Sequence, residues 1–112
     1  LGDAHVDRAV ASTTDLTRGF QDLITQYAWG TIWTRPGLNH RTRRLLVLAI
    51  TASLGRWEEF RLHLRTGFAR ELEACDVEEV LLHVAIYAGV PAANTAFHMA
   101  LDEQKAIAAS DR

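Results

Sequence analysis

Apolar residues return every third or fourth position along most of this chain, and nowhere do they alternate with polar ones as a half-buried strand requires. Leu16, Phe20, Leu23, Ile24 and Tyr27 form one such series, and Trp57, Phe60, Leu64 and Phe68 form another. That period is the α-helix's, about 3.6 residues per turn, which places these side chains on one face of their helix. No internal repeat or low-complexity tract interrupts it. The fold class that follows is all-α, about five to six helices with essentially no sheet.

Punctuation sets the boundaries. Residues 1–12 are mixed in character and read as an N-terminal arm, and residues 13–112 as a single helical domain. Thr13, Thr14 and Asp15 offer N-cap oxygens to a first helix that ends near Gly30. The stretch from Thr31 to Leu38, with its Pro36-Gly37 pair, reads as an ordered loop before Asn39 caps a second helix from about His40 to Leu54. That helix carries Leu45, Leu46, Leu48, Ala49, Ile50 and Ala52, apolar nearly all round, and is expected at the centre of the core. Gly55 suits its C-terminal cap. A third helix covers about Arg56 to Leu72, with Gly67 as a weak point. Asp76 with Glu79 three residues on resembles a capping arrangement for a fourth, which Gly89 stops. Pro91 fits the first turn of a fifth, where Ala92, Ala93, Ala96 and Ala100 permit close helix packing.

A chain of 112 residues supports one core. A domain of that size buries only roughly two-thirds of its unfolded surface, so leftover apolar helix faces favour self-association. Hydrophobic residues at 48% and charged ones at 23% belong to folded globular proteins. The formal net charge of -2 gives little attraction for nucleic acid, despite the basic run His40-Arg41-Thr42-Arg43-Arg44. No uninterrupted apolar stretch approaches the roughly 18 residues of a membrane span, and residues 1–5 lack the basic and apolar regions of a signal peptide. With one cysteine, Cys75, there is no Cys-x-x-Cys and no intrachain disulfide, which fits the cytoplasm. Because Leu1 is not a methionine, the true N-terminus is expected upstream.

Few residues carry chemistry. Glu59 and His63 are four apart, on one helix face and within reach of each other. A carboxylate beside an imidazole orients it and favours its protonated form, making a proton donor near neutral pH; the plainer reading is a surface ion pair. Arg41, Arg43 and Arg44 could clamp a carboxylate or phosphate, or take part in ordinary salt bridges. Positive charge at a helix N-terminus opposes the macrodipole, so these arginines cost stability unless an anion or acidic partner compensates. Tyr27, Trp29 and Trp33 crowd the loop and must bury in a core, an interface or a ligand pocket. Neither His-Glu-x-x-His nor clustered Cys and His occurs, so no metal is expected, and His83 and His98 are expected to be partly buried or interfacial. Cys75 lacks a resolving partner and reads as a structural thiol.

Four stretches, in this order and spacing, resemble the carboxymuconolactone decarboxylase family, in particular its protocatechuate-branch members. They are Gly2 to Arg8; Tyr27-Ala28-Trp29-Gly30 with Trp33 through Leu38; Trp57-Glu58-Glu59-Phe60-Arg61-Leu62-His63; and Ala85 through Asn94. The wider superfamily includes alkylhydroperoxidase-like proteins built on a Cys-x-x-Cys and a following His. Arg56 and Glu59 stand where those cysteines would be, with His63 retained, so disulfide-based peroxidase chemistry is not available.

The resemblance implies an alkylhydroperoxidase-like helical fold assembled into trimers or hexamers, with active sites near subunit contacts. It implies cofactor-free conversion of 4-carboxymuconolactone, a lactone dicarboxylate, to the enol-lactone of 3-oxoadipate with loss of carbon dioxide. On that reading His63 is the proton donor or oxyanion partner, Glu59 orients it or relays the proton, and Arg44 clamps a substrate carboxylate. Tyr27, Trp33 and Tyr87 are further pocket residues, and His5 reaches the site from the arm. Some relatives are fused behind the enol-lactone hydrolase of the next step, a partner this chain would share. Two other readings stand beside it: a thiol-dependent antioxidant relative, and a non-catalytic oligomeric binding protein.

Overall fold

The computed structural model describes residues 14–110. The expected arm, Thr13 and His5 therefore lie outside the described residues. Every regular element among the described residues is helical. The chain divides into two compact units between His40 and Arg41.

In the N-terminal unit, α1 spans Arg18–Ile24. It begins later than the sequence predicts, because Thr14, Asp15 and Thr17 bond among themselves and their neighbours. The Thr14 N–H donates to Thr17 Oγ1 at 2.9 Å, and Asp15 pairs with Arg18 at 2.9 Å. Nor does Gly30 end the helix. The chain continues as a π-helical stretch, Thr25–Ile32, closed by Trp33 N–H donating to the Ala28 carbonyl at 3.1 Å. Among the described residues only Gly55 and Gly89 have positive φ, so Gly30 does not take the left-handed conformation that turns a chain out of a helix. Hydroxyl groups meet carbonyls at this end, Thr31 donating to Gln26 at 3.1 Å and Thr34 to Gly30 at 3.0 Å.

Four helices make the C-terminal unit: α2 (His40–Leu54), α3 (Trp57–Arg70), α4 (Ala74–Tyr87) and α5 (Val90–Ser110). Gly55, at φ 70°, ends α2 as expected: its N–H donates to Ala52 O, and Arg56 N–H reaches back to Thr51 O at 2.8 Å. The cap of α4 sits three residues before the one expected. Glu73 is the N-cap and Asp76 the third residue in, each side chain bonded to the other's backbone N–H. The reciprocal bond needs a side-chain acceptor at both ends of a three-residue step, and Glu73/Asp76 supplies that pair three residues before Asp76/Glu79. Gly89, at φ 118°, then lets the chain turn directly into Pro91 and α5.

The core lies where α5 packs against both α3 and α4. Phe60 and Leu64 of α3, Leu81 of α4 and Leu48 of α2 are its largest fully buried side chains, closed over by Ala93, Ala96 and Ala100. The expectation that α2 is central fails. Leu48 and Ala52 are its buried apolar residues, whereas Leu46, Ile50 and Leu54 are exposed. Those three recur every fourth residue and form a stripe of their own, so α2 flanks the core and buries only the opposite face. A buried Glu103 on α5 ties α5 to α3 through Arg65, at 3.1 Å from both its Nε and Nη2, and Arg61, at 3.3 Å.

Candidate functional site

The second turn of α2 and the middle of α3 bring two charged-type side chains into the interior. Arg44 is 3% exposed and His63 5%. A buried guanidinium is costly without an acidic partner, and Glu71, at the end of α3, supplies one: Arg44 Nε donates to Glu71 Oε1 at 2.9 Å. Arg44 Nη1 meets His63 Nδ1 at 2.5 Å. Glu59, one turn before His63 and largely exposed, holds Oε2 at 3.8 Å from His63 Nε2. A connected series results, Glu71 to Arg44 to His63 to Glu59, running from the end of α3 through α2 and back to the start of α3.

The order of donors fixes the state of the imidazole. A guanidinium has only N–H groups and no acceptor, so Nδ1 must accept. The ring is then the neutral tautomer with its proton on Nε2, on the side of Glu59.

Gly67 makes room for this arrangement. A Cβ built there would lie 2.7 Å from Leu72 Cδ1, 3.2 Å from Leu72 Cγ and 3.4 Å from Arg44 Cγ. The weak point in α3's helical propensity is thus where the arginine stem and Leu72 pass close to the helix backbone.

Two of the arginines near the start of α2 find acidic partners. Arg41 pairs with Asp76, as Arg44 does with Glu71. The Asp76 carboxyl sits below the usual aspartate range, chiefly because it accepts the Glu73 N–H, with the Arg41 charge adding to the effect. On the far side of α3, Glu103 holds the Arg65 guanidinium above its ordinary value by hydrogen bond and charge.

The structure therefore joins Glu59, His63 and Arg44, three of the residues singled out from sequence. Tyr27 and Trp33 belong to the N-terminal unit. There Trp33 is buried and stacks on Trp29 at 4.8 Å between centroids, while His40 meets its ring edge-on and donates Nε2–H to its carbonyl at 3.1 Å. Tyr27 is exposed, and Tyr87, the last residue of α4, is 86% exposed. His83 and His98 are exposed, not partly buried, because each lies on the outer face of its helix. Cys75 is exposed as well. Sequence reasoning missed Glu71 and Glu103; their only signal was an unassigned carboxylate, since the partners are 27 and 38 residues away. Among the described residues no group of three or more His, Cys, Asp or Glu is placed to hold a metal ion.

What this arrangement can do is present one oriented N–H in a largely buried setting, flanked by a carboxylate and a guanidinium. Such a site can bind a carboxylate, stabilise a developing oxyanion or deliver a proton. Comparison with known proteins agrees with that chemistry. Residues 18–102 match the family model described as Carboxymuconolactone decarboxylase family. Over 100 residues the chain is 43% identical to a 4-carboxymuconolactone decarboxylase of Acinetobacter baylyi, covering 89% of this chain and 75% of that protein. Over 91 residues it is 40% identical to the nitrosuccinic acid decarboxylase npaB of Metarhizium robertsii, covering 81% of this chain and 64% of that protein.

Proposed function

Since the chain belongs to the carboxymuconolactone decarboxylase family, we propose that it is a carboxy-lyase converting 4-carboxymuconolactone to the enol-lactone of 3-oxoadipate and carbon dioxide, a step in protocatechuate catabolism. The observation that carries this reading is the buried His63, whose Nδ1 is taken by a donor-only guanidinium and whose Nε2 faces Glu59.

The substrate supplies its own electron sink. As the ring carboxylate leaves, its electron pair moves through the adjacent double bond to the lactone carbonyl, giving a dienolate. Protonation at the carbon beside that carbonyl completes the reaction. The protein must therefore bind two carboxylates, hold the oxyanion and return one proton, and these demands rise toward the transition state. His63 Nε2–H serves as the hydrogen-bond donor to the oxyanion or as the proton source, and Glu59 receives or resupplies that proton. The Arg44 charge draws a substrate carboxylate to the same place while its Nη1 holds the ring. Burial of Arg44 and His63 strengthens each of these interactions by excluding water.

The same reading makes Tyr27, Trp33 and Tyr87 pocket walls, adds His5 from the arm, and takes the working form as a cytoplasmic homo-oligomer, a trimer or hexamer. The exposed stripe Leu46, Ile50 and Leu54 supports association, since a monomer leaves it in water. No helix among the described residues is long and apolar enough to cross a membrane. Fusion to, or association with, an enol-lactone hydrolase completes the proposal.

The test is direct. Purified protein, treated with chelator, is given freshly generated 4-carboxymuconolactone or nitrosuccinic acid, and carbon dioxide and substrate loss are followed together. We expect one carbon dioxide per lactone consumed and a clear preference for the lactone. Preference for nitrosuccinic acid would move the substrate assignment to the fungal relative's, and no release from either acid would favour a non-catalytic binding role.

A further inference from the structure

We infer that Glu71 is a positioning residue for this site: through Arg44 it sets the tautomer and orientation of His63. The inference rests on the functional reading above only for its effect on rate.

Glu71 is the C-cap residue of α3, eight positions beyond His63, so its backbone is fixed by the same helix that carries the imidazole. Its side chain retains some access to water, whereas Arg44 is almost wholly enclosed. Arg44 spans the two. Nε bonds Glu71 and Nη1 bonds His63, and because the guanidinium is planar and rigid, anchoring Nε fixes where Nη1 points. Removing the anchor takes away the contact that holds Nε, and with it the restraint on where Nη1 points. His63 Nδ1 then loses the fixed donor that keeps a second proton off it, and the ring, with Glu59 beside Nε2, can depart from the Nε2–H form.

The chain turn that places Glu71 is itself constrained. Both Glu71 N–H and Leu72 N–H donate to the Gly67 carbonyl, at 2.9 and 2.8 Å. The residue that lets the Arg44 stem approach α3 therefore also holds the backbone of its anchor. A structural role alone would need only some carboxylate to balance Arg44. The two-point bridge requires one at this position, with an acceptor oxygen aimed at Nε.

The experiment compares Glu71→Ala and Glu71→Gln with the parent. It follows turnover and records the ¹⁵N resonances of His63, which separate a ring protonated at Nε2 from one protonated at Nδ1. In Glu71→Ala we expect the His63 signals to leave the Nε2–H pattern and kcat to fall about tenfold or more, as misplacing a catalytic group does. Glu71→Gln keeps an acceptor oxygen for Nε and retains the parental pattern. A folded Glu71→Ala with unaltered His63 signals would overturn the inference, as would loss of the pattern in a folded Glu71→Gln. His63→Gln is assayed alongside. If it turns over like the parent while Glu71→Ala still moves the ring signals, the positioning stands and the proton role of His63 falls.

Discussion

Replacing Gly67 by alanine sets two opposing effects against each other. In a helix interior Gly→Ala gains about 1 kcal/mol of propensity. Against it stand the contacts a Cβ would make, 2.7 and 3.2 Å to Leu72 and 3.4 Å to Arg44 Cγ. Leu72 is buried in the core, so its Cδ1 cannot simply swing into solvent, and overpacking of this kind costs about 1–3 kcal/mol. The net expectation is a destabilisation of about 1 kcal/mol, or about 4 °C in melting temperature for a domain of this size. Activity should fall more than stability, because the arginine stem that must yield is the one holding His63. Urea and thermal melts followed by circular dichroism measure the first effect, and carbon dioxide release the second. A double-mutant cycle with Leu72→Ala isolates the clash: trimming Leu72 makes room for the new methyl, so the pair should destabilise less than the two single changes added. A Gly67→Ala protein more stable than the parent, with additive behaviour in the cycle, would refute the account of this glycine.

Three further outcomes follow from named contacts. Arg44→Met removes a buried cation and leaves His63 Nδ1 without its donor; it should cost up to about 3 kcal/mol, less than a fully enclosed pair because Glu71 keeps access to water, and abolish turnover, with Arg44→Lys failing to restore it. Glu103→Gln should cost only about 1–2 kcal/mol by chemical denaturation, since Arg65 and Arg61 are well enough exposed to be rehydrated. Asp76 has a folded pKa below its unfolded one, so its stabilising effect is fully present above the ordinary aspartate value and is lost as pH falls through the lower folded value; urea midpoints of Asp76→Asn should therefore show a shallower acid limb below about pH 4.

The residues that punctuate this chain were readable because their effect is local. Gly55 and the Gly89–Pro91 turn stop and restart helices through their own backbone preferences, and the Glu59/His63 face follows from a four-residue spacing alone. Where the outcome depended on competition, sequence was a poorer guide. Gly30 resembled a terminus yet stays in helical conformation within a π-helical stretch, and Glu73 outcompeted Asp76 as the cap because the reciprocal bond fits one turn earlier. The apolar run of α2 reads the same whether its second face meets the core or a partner, so periodicity could not reveal that Leu46, Ile50 and Leu54 stay exposed. The arginines near its start did announce a need for acidic partners, but not which. Glu71 and Asp76 come from the end of α3 and the start of α4, and only the folded chain brings them there. The Nδ1 partner of His63 was hidden for the same reason: it lies 19 residues away.

The account stands on His63 presenting Nε2–H to the reacting lactone. The most direct test is the turnover number of His63→Gln on 4-carboxymuconolactone, measured by carbon dioxide release beside a parent of matched circular dichroism and melting temperature. The account predicts a loss of at least about a hundredfold, the scale of a general acid's contribution. A His63→Gln protein that folds like the parent and keeps its turnover number within a few-fold would contradict it.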